Sequence, residues 1–432
     1  MIKLSENKEL TEHKAIKKAK LSDKVCIPLI QHFGKPCDKI LVKPGDFVNT
    51  GQMIATSEGG LFSPVHASIS GKVASISDCA HPFLGKAKAV VIESDGKDEG
   101  IYNAPRTKEE IGALSAQQIR EIVFNAGIVG LGGAGFPTHI KLSPPKPIDT
   151  FILNGVECEP YLNVDYRLML ERTNEIISGI KIIIKVLGVE RVVIAIEDNK
   201  KEAIRQFQKV ELPSNWKIKV LKTRYPQGGE KQVIKSCLGK EVPQSKLPFD
   251  VGIVVNNIGT VYAVYEAVYK NKPLYEKVVT VVGKSLENSA NLEVRLGTSI
   301  KELIDQCGPL RQEPAKIVMG GPMMGIAQYD INAPVVKGTS GIILLDKDEV
   351  VEVEEEFCLR CGECIANCPI GLEPGLISLA IAKDRLDLAE EYGVMDCIEC
   401  GLCSYICPAN RNLVQSIKYA KQKIEDKKSK KH

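Results

Sequence analysis

The chain of 432 residues contains no apolar run long enough to cross a membrane. Its most hydrophobic stretches, such as Val251–Val255 and Val192–Ile196, are short and flanked by polar residues, the pattern of buried strands. The N-terminus, Met1-Ile-Lys-Leu-Ser, lacks the apolar core of a signal peptide. These absences point to a cytoplasmic protein that reaches a membrane only through partners. Net charge is scarce too. At +3 it is too small to imply nucleic acid as a partner. The basic charge gathers at the ends: residues 418–431 hold seven lysines against Glu425 and Asp426, and the first 24 residues are also lysine-rich. We expect solvated tails at 1–25 and 414–432, with weak attraction to a negative surface. Composition is otherwise that of a globular protein, 44% hydrophobic and 26% charged. The length suggests about three domains.

Cysteine, by contrast, is abundant and ordered. Eight of fourteen fall in two runs: Cys358, Cys361, Cys364, Cys368 before Pro369, and Cys397, Cys400, Cys403, Cys407 before Pro408. Each reads C-x-x-C-x-x-C-x-x-x-C-P, and the second repeats the first 39 residues later. Three cysteines at i, i+3 and i+6 wrap three corners of a cubic cluster, while the fourth ligates the other cluster. This assigns Cys358, Cys361, Cys364 and Cys407 to one [4Fe–4S] centre, and Cys397, Cys400, Cys403 and Cys368 to a second. Structural zinc prefers paired C-x-x-C units, and disulfides require an oxidising compartment. The other six cysteines are scattered and read mostly as small hydrophobes.

Between the ends the pattern changes several times. Residues 26–98 alternate short strands and glycine turns, as in Ile40–Asp46, Phe47–Ala55 and Ser63–Val73. They resemble the barrel-sandwich hybrid of biotinyl and lipoyl domains. No lysine lies between Lys43 and Lys72, so a swinging arm is excluded. That leaves a structural or docking module. Residues 115–275 alternate helix and strand, with strands expected at Thr150–Leu153, Val192–Ile196, Ile218–Thr223 and Val251–Val255, and a helix at Thr260–Lys270. Such alternation gives a mostly parallel sheet, which binds ligands at the carboxyl ends of its strands. The loops Asn154–Pro160, Tyr225–Glu230 and Asn256–Thr260 fall there. Residues 276–312 read as a β-grasp unit, followed by a glycine-rich turn, Met319–Gly325. Residues 345–413 form the cluster domain. Leu376–Tyr392, apolar at helical spacing, suggests a helical ferredoxin fold.

The second strong signal is the loop Gly130-Leu-Gly-Gly-Ala-Gly-Phe-Pro-Thr-His-Ile-Lys141. Such glycine density lets backbone N–H groups approach a phosphate or a ring. A plain turn is the alternative. Three further blocks follow: Asn154-Gly-Val-Glu-Cys-Glu-Pro160, Tyr225-Pro-Gln-Gly-Gly-Glu230 and Val255-Asn-Asn-Ile-Gly-Thr260. In this order they resemble the FMN- and NADH-binding subunit of respiratory complex I. Together with both ends, the chain resembles the C subunit of the Rnf electron-transport complex, an ion-translocating ferredoxin:NAD⁺ oxidoreductase.

The resemblance implies a multidomain α/β and α+β protein. Its parts would be a barrel-sandwich hybrid, a Rossmann-like FMN/NADH domain, a soluble-ligand-binding β-grasp domain and a helical two-cluster ferredoxin domain. It further implies that Gly130, Gly132, Gly133, Gly135 and Lys141 cradle non-covalent FMN. Asn154, Asn256, Asn257 and Thr260 would hold its ring and phosphate. Glu157 would lie beside the flavin, and Phe136 would stack on a nucleotide ring. Glu159 and Glu230, with Tyr225 in the same block, would face NAD(H). Val156, Gly229, Gly259 and Leu142 depart from the relative's residues. The implied activity is hydride exchange between NAD(H) and FMN, with single electrons passing through both clusters. The implied partners are the other Rnf subunits, including membrane-embedded ones, and ferredoxin indirectly. The implied place is the cytoplasmic side of the cell membrane, peripherally bound. Two rivals remain: a flavin and iron–sulfur cobalamin reductase, and a wiring and docking subunit without active flavin.

Overall fold

The computed structural model describes residues 1–101, 104–133, 135–350 and 354–429. Ala134 of the glycine-rich loop, residues 351–353 of the expected cluster domain and residues 430–432 of the basic tail lie outside them.

Near the N-terminus, Lys24–Pro28, Gly85–Ser94, Gly71–His81 and Phe47–Val48 form an antiparallel sheet in that spatial order. Lys39–Ile40, Met53–Thr56 and Val65–His66 form a second. Alternating apolar residues from both, among them Ile27, Ile54, Val65 and Ile92, share one core. The central unit is a four-stranded parallel sheet ordered Trp216–Leu221, Arg191–Glu197, Thr150–Gly155, Ile253–Asn257. Its inner strands are continuous runs of Val, Ile and Leu because helices cover both faces. Trp216–Leu221, at the edge, exposes Lys217 and Lys219 instead. Helix Ala116–Asn125 starts on a side-chain cap, where Ser115 and Gln118 form a reciprocal pair.

The third sheet has six strands: Ile16–Lys18, Ala290–Arg295, Glu276–Gly283, Gly341–Leu345, Lys316–Met319 and Ile326–Gln328. It extends well past residue 312, the expected end of the β-grasp unit. Met319–Gly325 is the turn between two of its antiparallel strands.

The N-terminal segment is not a solvated tail. Ile16–Lys18 adds a parallel strand to the six-stranded sheet. Ile2 exchanges backbone hydrogen bonds with Tyr225. Lys8, 3% exposed, donates to the carbonyls of Glu157 (2.8 Å) and Leu162 (2.5 Å). The basic C-terminus differs likewise. Leu413–Ser429 is a helix whose Ile417, Ala420 and Ile424 are buried in the cluster domain. In both cases apolar residues between the lysines supply the packing face.

The cluster domain repeats itself at the cysteine interval. Short helices Glu363–Ala366 and Leu402–Tyr405 are followed by helices beginning at Pro374 and Leu413. The stretch Leu376–Tyr392, apolar at helical spacing, is helical in two pieces, Pro374–Ala382 and Leu386–Glu391. The break falls at Asp384, whose φ is +53°. Among the described residues no helix is long and apolar enough to cross a membrane.

Candidate active site

The order of the parallel sheet creates the site. From Thr150–Gly155 the chain moves outward to Arg191–Glu197 and Trp216–Leu221, then returns to the opposite flank at Ile253–Asn257. This reversal leaves a crevice at the carboxyl ends of Thr150–Gly155 and Ile253–Asn257, where open parallel sheets take ligands. A cavity of about 460 Å³ lies there, within the roughly 300–1,000 Å³ usual for small-molecule sites. Every flavin or nucleotide residue expected from the sequence lines it.

The glycine loop closes on itself through the Gly130 N–H, which donates to the Phe136 carbonyl at 2.9 Å. The Leu131 N–H donates to Thr260 Oγ1 at 2.9 Å, pinning the loop to helix Ile258–Lys270. Gly132 is dictated by space, since a Cβ there would sit 2.5 Å from Asn257 Nδ2. Asn257 caps the same helix: Oδ1 accepts from the Gly259 N–H at 2.8 Å, and Nδ2 donates to Asp165 at 2.6 Å. Asn154 holds the facing loop, donating to the Gly228 carbonyl at 2.9 Å and accepting from the Val156 N–H at 3.1 Å. Lys141 and Glu230 form an ion pair of 2.6 Å across the cavity.

The acidic residues also have partners in the chain. Glu157 accepts from the N–H groups of Asp165 and Tyr166, at the start of helix Val164–Glu171. Glu159 accepts from the Met323 N–H at 3.1 Å and lies 3.3 Å from the Tyr225 hydroxyl. Burial raises its carboxyl above the usual range. The Tyr225 hydroxyl donates to the Cys400 carbonyl at 2.6 Å. Glu159 and Tyr225 therefore bind the cavity wall to the glycine-rich turn and to the cluster domain.

Two lining residues carried no signal in the sequence. Asp165 is half-buried, and desolvation followed by the nearby Glu157 charge holds its carboxyl well above the usual range. Lys277 enters from the six-stranded sheet; burial lowers its ammonium to about 7, and it donates to the Lys337 carbonyl at 2.8 Å. Neither lies in a glycine-rich block, and a lysine within an alternating strand reads as an outward residue.

The cysteines gather in two groups. Cys368, Cys397, Cys400 and Cys403 converge on one small cavity. Burial, then the charges of Cys397, Cys400 and Cys368, push the Cys403 thiol up to about 12. The Cys364 thiol is raised by burial and by Cys407 and Cys361. Each run's fourth cysteine thus lies within electrostatic reach of the other run. N–H groups of Leu372 and Glu399 donate to the sulfurs of Cys368 and Cys397, each at 3.3 Å. Cys400 and Cys403 are buried, whereas Cys358 and Cys361 are exposed. Cys400 also lines the large cavity.

A ligand-sized cavity that shares Cys400 with a group of four cysteines is the arrangement of a flavin- and iron–sulfur-dependent electron-transfer protein. Comparison with known proteins agrees. Residues 123–266 match the Nuo51 FMN-binding domain. Residues 2–97 match the RnfC barrel sandwich hybrid domain, 278–327 the SLBB domain and 350–408 a 4Fe-4S dicluster domain. The chain is 46% identical to the C subunit of the proton-translocating ferredoxin:NAD(+) oxidoreductase complex of Clostridium ljungdahlii, over 96% of this chain and 91% of that protein. It is 42% identical to the C subunit of the Na(+)-translocating ferredoxin:NAD(+) oxidoreductase complex of Acetobacterium woodii, over 96% and 94%. For the C subunit of the ion-translocating oxidoreductase complex of Rhodobacter capsulatus the figures are 41%, 99% and 83%. An NAD+-reducing [NiFe]-hydrogenase structure shares the fold at a TM-score of 0.50 and 16% identity, over 70% of this chain and 62% of that one. The chain belongs to the RnfC family of ion-translocating oxidoreductase complexes.

The residues present fit FMN. The buried Asn256 Nδ2 has no hydrogen-bond partner among the described residues, which is costly unless a ligand supplies an acceptor. Gly132 and Gly133 are exposed beside it, and a Cβ at Gly133 would meet nothing within 4 Å. The loop thereby offers open backbone toward a ligand.

Proposed function

We propose that this chain exchanges hydride between NAD(H) and FMN in the glycine-lined cavity and passes single electrons through two [4Fe–4S] clusters. It acts as one subunit of a membrane-bound ferredoxin:NAD⁺ oxidoreductase whose partner subunits translocate ions. The observation that carries this reading is Cys400, a cluster ligand in our assignment that lines the same cavity as Gly132, Asn154 and Asn256. Bound FMN supplies the exchange between two-electron and one-electron chemistry that nicotinamide and iron–sulfur centres cannot perform directly.

The chain's part is alignment and insulation. Gly130, Gly132, Gly133 and Gly135 present backbone, Asn256 offers its free amide, and Asn154 and Asn257 fix the flanking loops. Lys141 turns from Glu230 to an anionic group of the ligand, and Glu230 is then free to meet NAD(H) hydroxyls. The Cys397, Cys400, Cys403, Cys368 set lies against the cavity, and the Cys358, Cys361, Cys364, Cys407 set faces outward. The outer set is therefore the exchange point with the partner subunits. Phe357 and Leu359, flanking Cys358, are 93% and 62% exposed and suit such a contact. The finer domain descriptions fit this reading: a Rossmann-like flavin domain, a β-grasp domain and a helical two-cluster ferredoxin domain. We place the chain on the cytoplasmic side of the cell membrane, peripherally bound.

Flavin content of Gly132→Ala tests the cradle. We expect bound FMN to fall more than tenfold while iron content is kept. Unchanged FMN in this variant would remove the glycine loop from the flavin site.

A further inference from the structure

Glu197 is an acidic residue buried outside the cavity lining. It ends strand Arg191–Glu197 and is 0% exposed. Its neighbour Ile196 pairs with Gly155, so Glu197 lies level with the loop that carries Glu157 into the cavity wall. Neither oxygen of its carboxylate has a hydrogen-bond partner among the described residues, and neither has the buried Asn199 Oδ1 two residues on.

Two buried lysines are near, yet neither donates to it. Lys8 gives its hydrogen bonds to the carbonyls of Glu157 and Leu162, and the Lys200 ammonium stands 4.5 Å over the Tyr166 ring. The charges that act on Glu197 are those of Lys8, Lys200, Glu157 and Glu6, and Glu197 acts in turn on the Cys158 thiol. Burial outweighs the two lysines and lifts its carboxyl to about 7. An unpaired carboxylate in such a place is costly, and glutamine would fill the same space without that cost. Two residues on, Asn199 Nδ2 donates to Glu6 Oε2 at 2.7 Å, and Glu6 is half-buried. Carboxyls therefore stand on the cavity wall, in the interior and toward the surface.

We propose that Glu197 relays a proton between the cavity and solvent, meeting the cavity at Glu157 and the surface at Glu6. The inference rests on the proposed NAD(H) chemistry and adds a residue to it. A hydride carries two electrons and one proton. Hydride exchange itself needs no protein acid or base, but the clusters accept only the two electrons, one each. One proton per NADH oxidised is left behind and has to reach solvent; reduction of NAD⁺ draws one in by the same route. Bound ligands fill the cavity and exclude water, so its inner wall needs a route of its own. A buried carboxyl poised near neutrality gives and takes a proton readily.

The test uses the full-length chain loaded with FMN and iron, with ferricyanide as one-electron acceptor. In wild type, NADH oxidation by ferricyanide should slow in deuterium oxide and show a pH step at about 7, while flavin bleaching by NADH does neither. Glu197→Gln should lower ferricyanide turnover about tenfold or more and remove the pH step, with FMN content and the bleaching rate kept. Glu197→Asp should restore part of the turnover. Full turnover in Glu197→Gln, or an equal loss of bleaching, would overturn the inference. So would a wild type whose turnover is the same in deuterium oxide, whether or not the variant folds. Wild-type flavin that NADH does not bleach would overturn the proposed function itself, and the relay with it.

Discussion

The Lys337 amine joins segments that lie far apart in the chain. Fully buried, it donates to the carbonyls of Pro64 and Gly127, each at 2.7 Å, tying the barrel to the flavin domain. Lys337→Met leaves those carbonyls unsatisfied and should cost about 1–3 kcal/mol, measured by denaturant unfolding. Burial also lowers the Lys337 ammonium to about 7, from an ordinary value of 10.5. Between these values the unfolded chain holds a proton that the folded chain does not, so this group makes stability rise with pH across that window. The stability difference between wild type and Lys337→Met should therefore widen from about pH 7 to about pH 10; a constant difference would contradict the assignment. At Asn256 the expectation is the reverse. Its amide has no partner among the described residues, so Asn256→Ala should weaken FMN retention about tenfold with little change in stability. Flavin retention and thermal unfolding, measured on the same sample, separate the two effects.

Among the elements, the two cysteine runs were the most legible. Their spacing alone sets the repeat, because thiolate geometry around a cluster leaves little freedom. The structure extends that repeat to the backbone: Arg360 and Glu399, and Gly362 and Gly401, share positive φ at equivalent places. The break at Asp384 was not legible, because the apolar spacing continues smoothly through it. Ile16–Lys18 was equally hidden. Three residues with two lysines show no strand pattern, and only pairing with Asn291–Glu293 makes them a strand. The arrangement of the runs leads to an ordered prediction. Cys400→Ser should remove the cavity-side cluster, halve the iron content and leave the outer cluster unreduced by NADH, though the flavin still bleaches. Cys361→Ser should halve the iron but leave the inner cluster reducible. Electron paramagnetic resonance after NADH addition reads both, and the opposite pattern would invert the order of the sites.

Across the whole molecule, the order of four sequence blocks was enough to locate the cavity, because three of them end or follow strands of one sheet. The contacts between domains were not legible. Tyr225 and Cys400 are 175 residues apart and meet through one hydrogen bond, and no local pattern foretells such a pair. The N-terminal segment likewise read as a tail because the burial of Lys8 depends on carbonyls supplied from elsewhere in the chain. Removal of residues 1–18 should therefore do more than trim a tail. It takes away an edge strand and the Lys8 bonds beneath Glu157, and should lower both unfolding temperature and FMN content; an unchanged flavin content would show that the segment is dispensable to the site.

The central claim is that one chain carries electrons between NAD(H), flavin and iron–sulfur clusters. An anaerobic NADH titration of the purified chain, following flavin absorbance and cluster paramagnetic resonance together, tests it most directly. Flavin and iron are counted on the same sample. The account predicts that the flavin bleaches and reduced-cluster signals follow. A chain replete in iron, free of flavin and inert to NADH would contradict it.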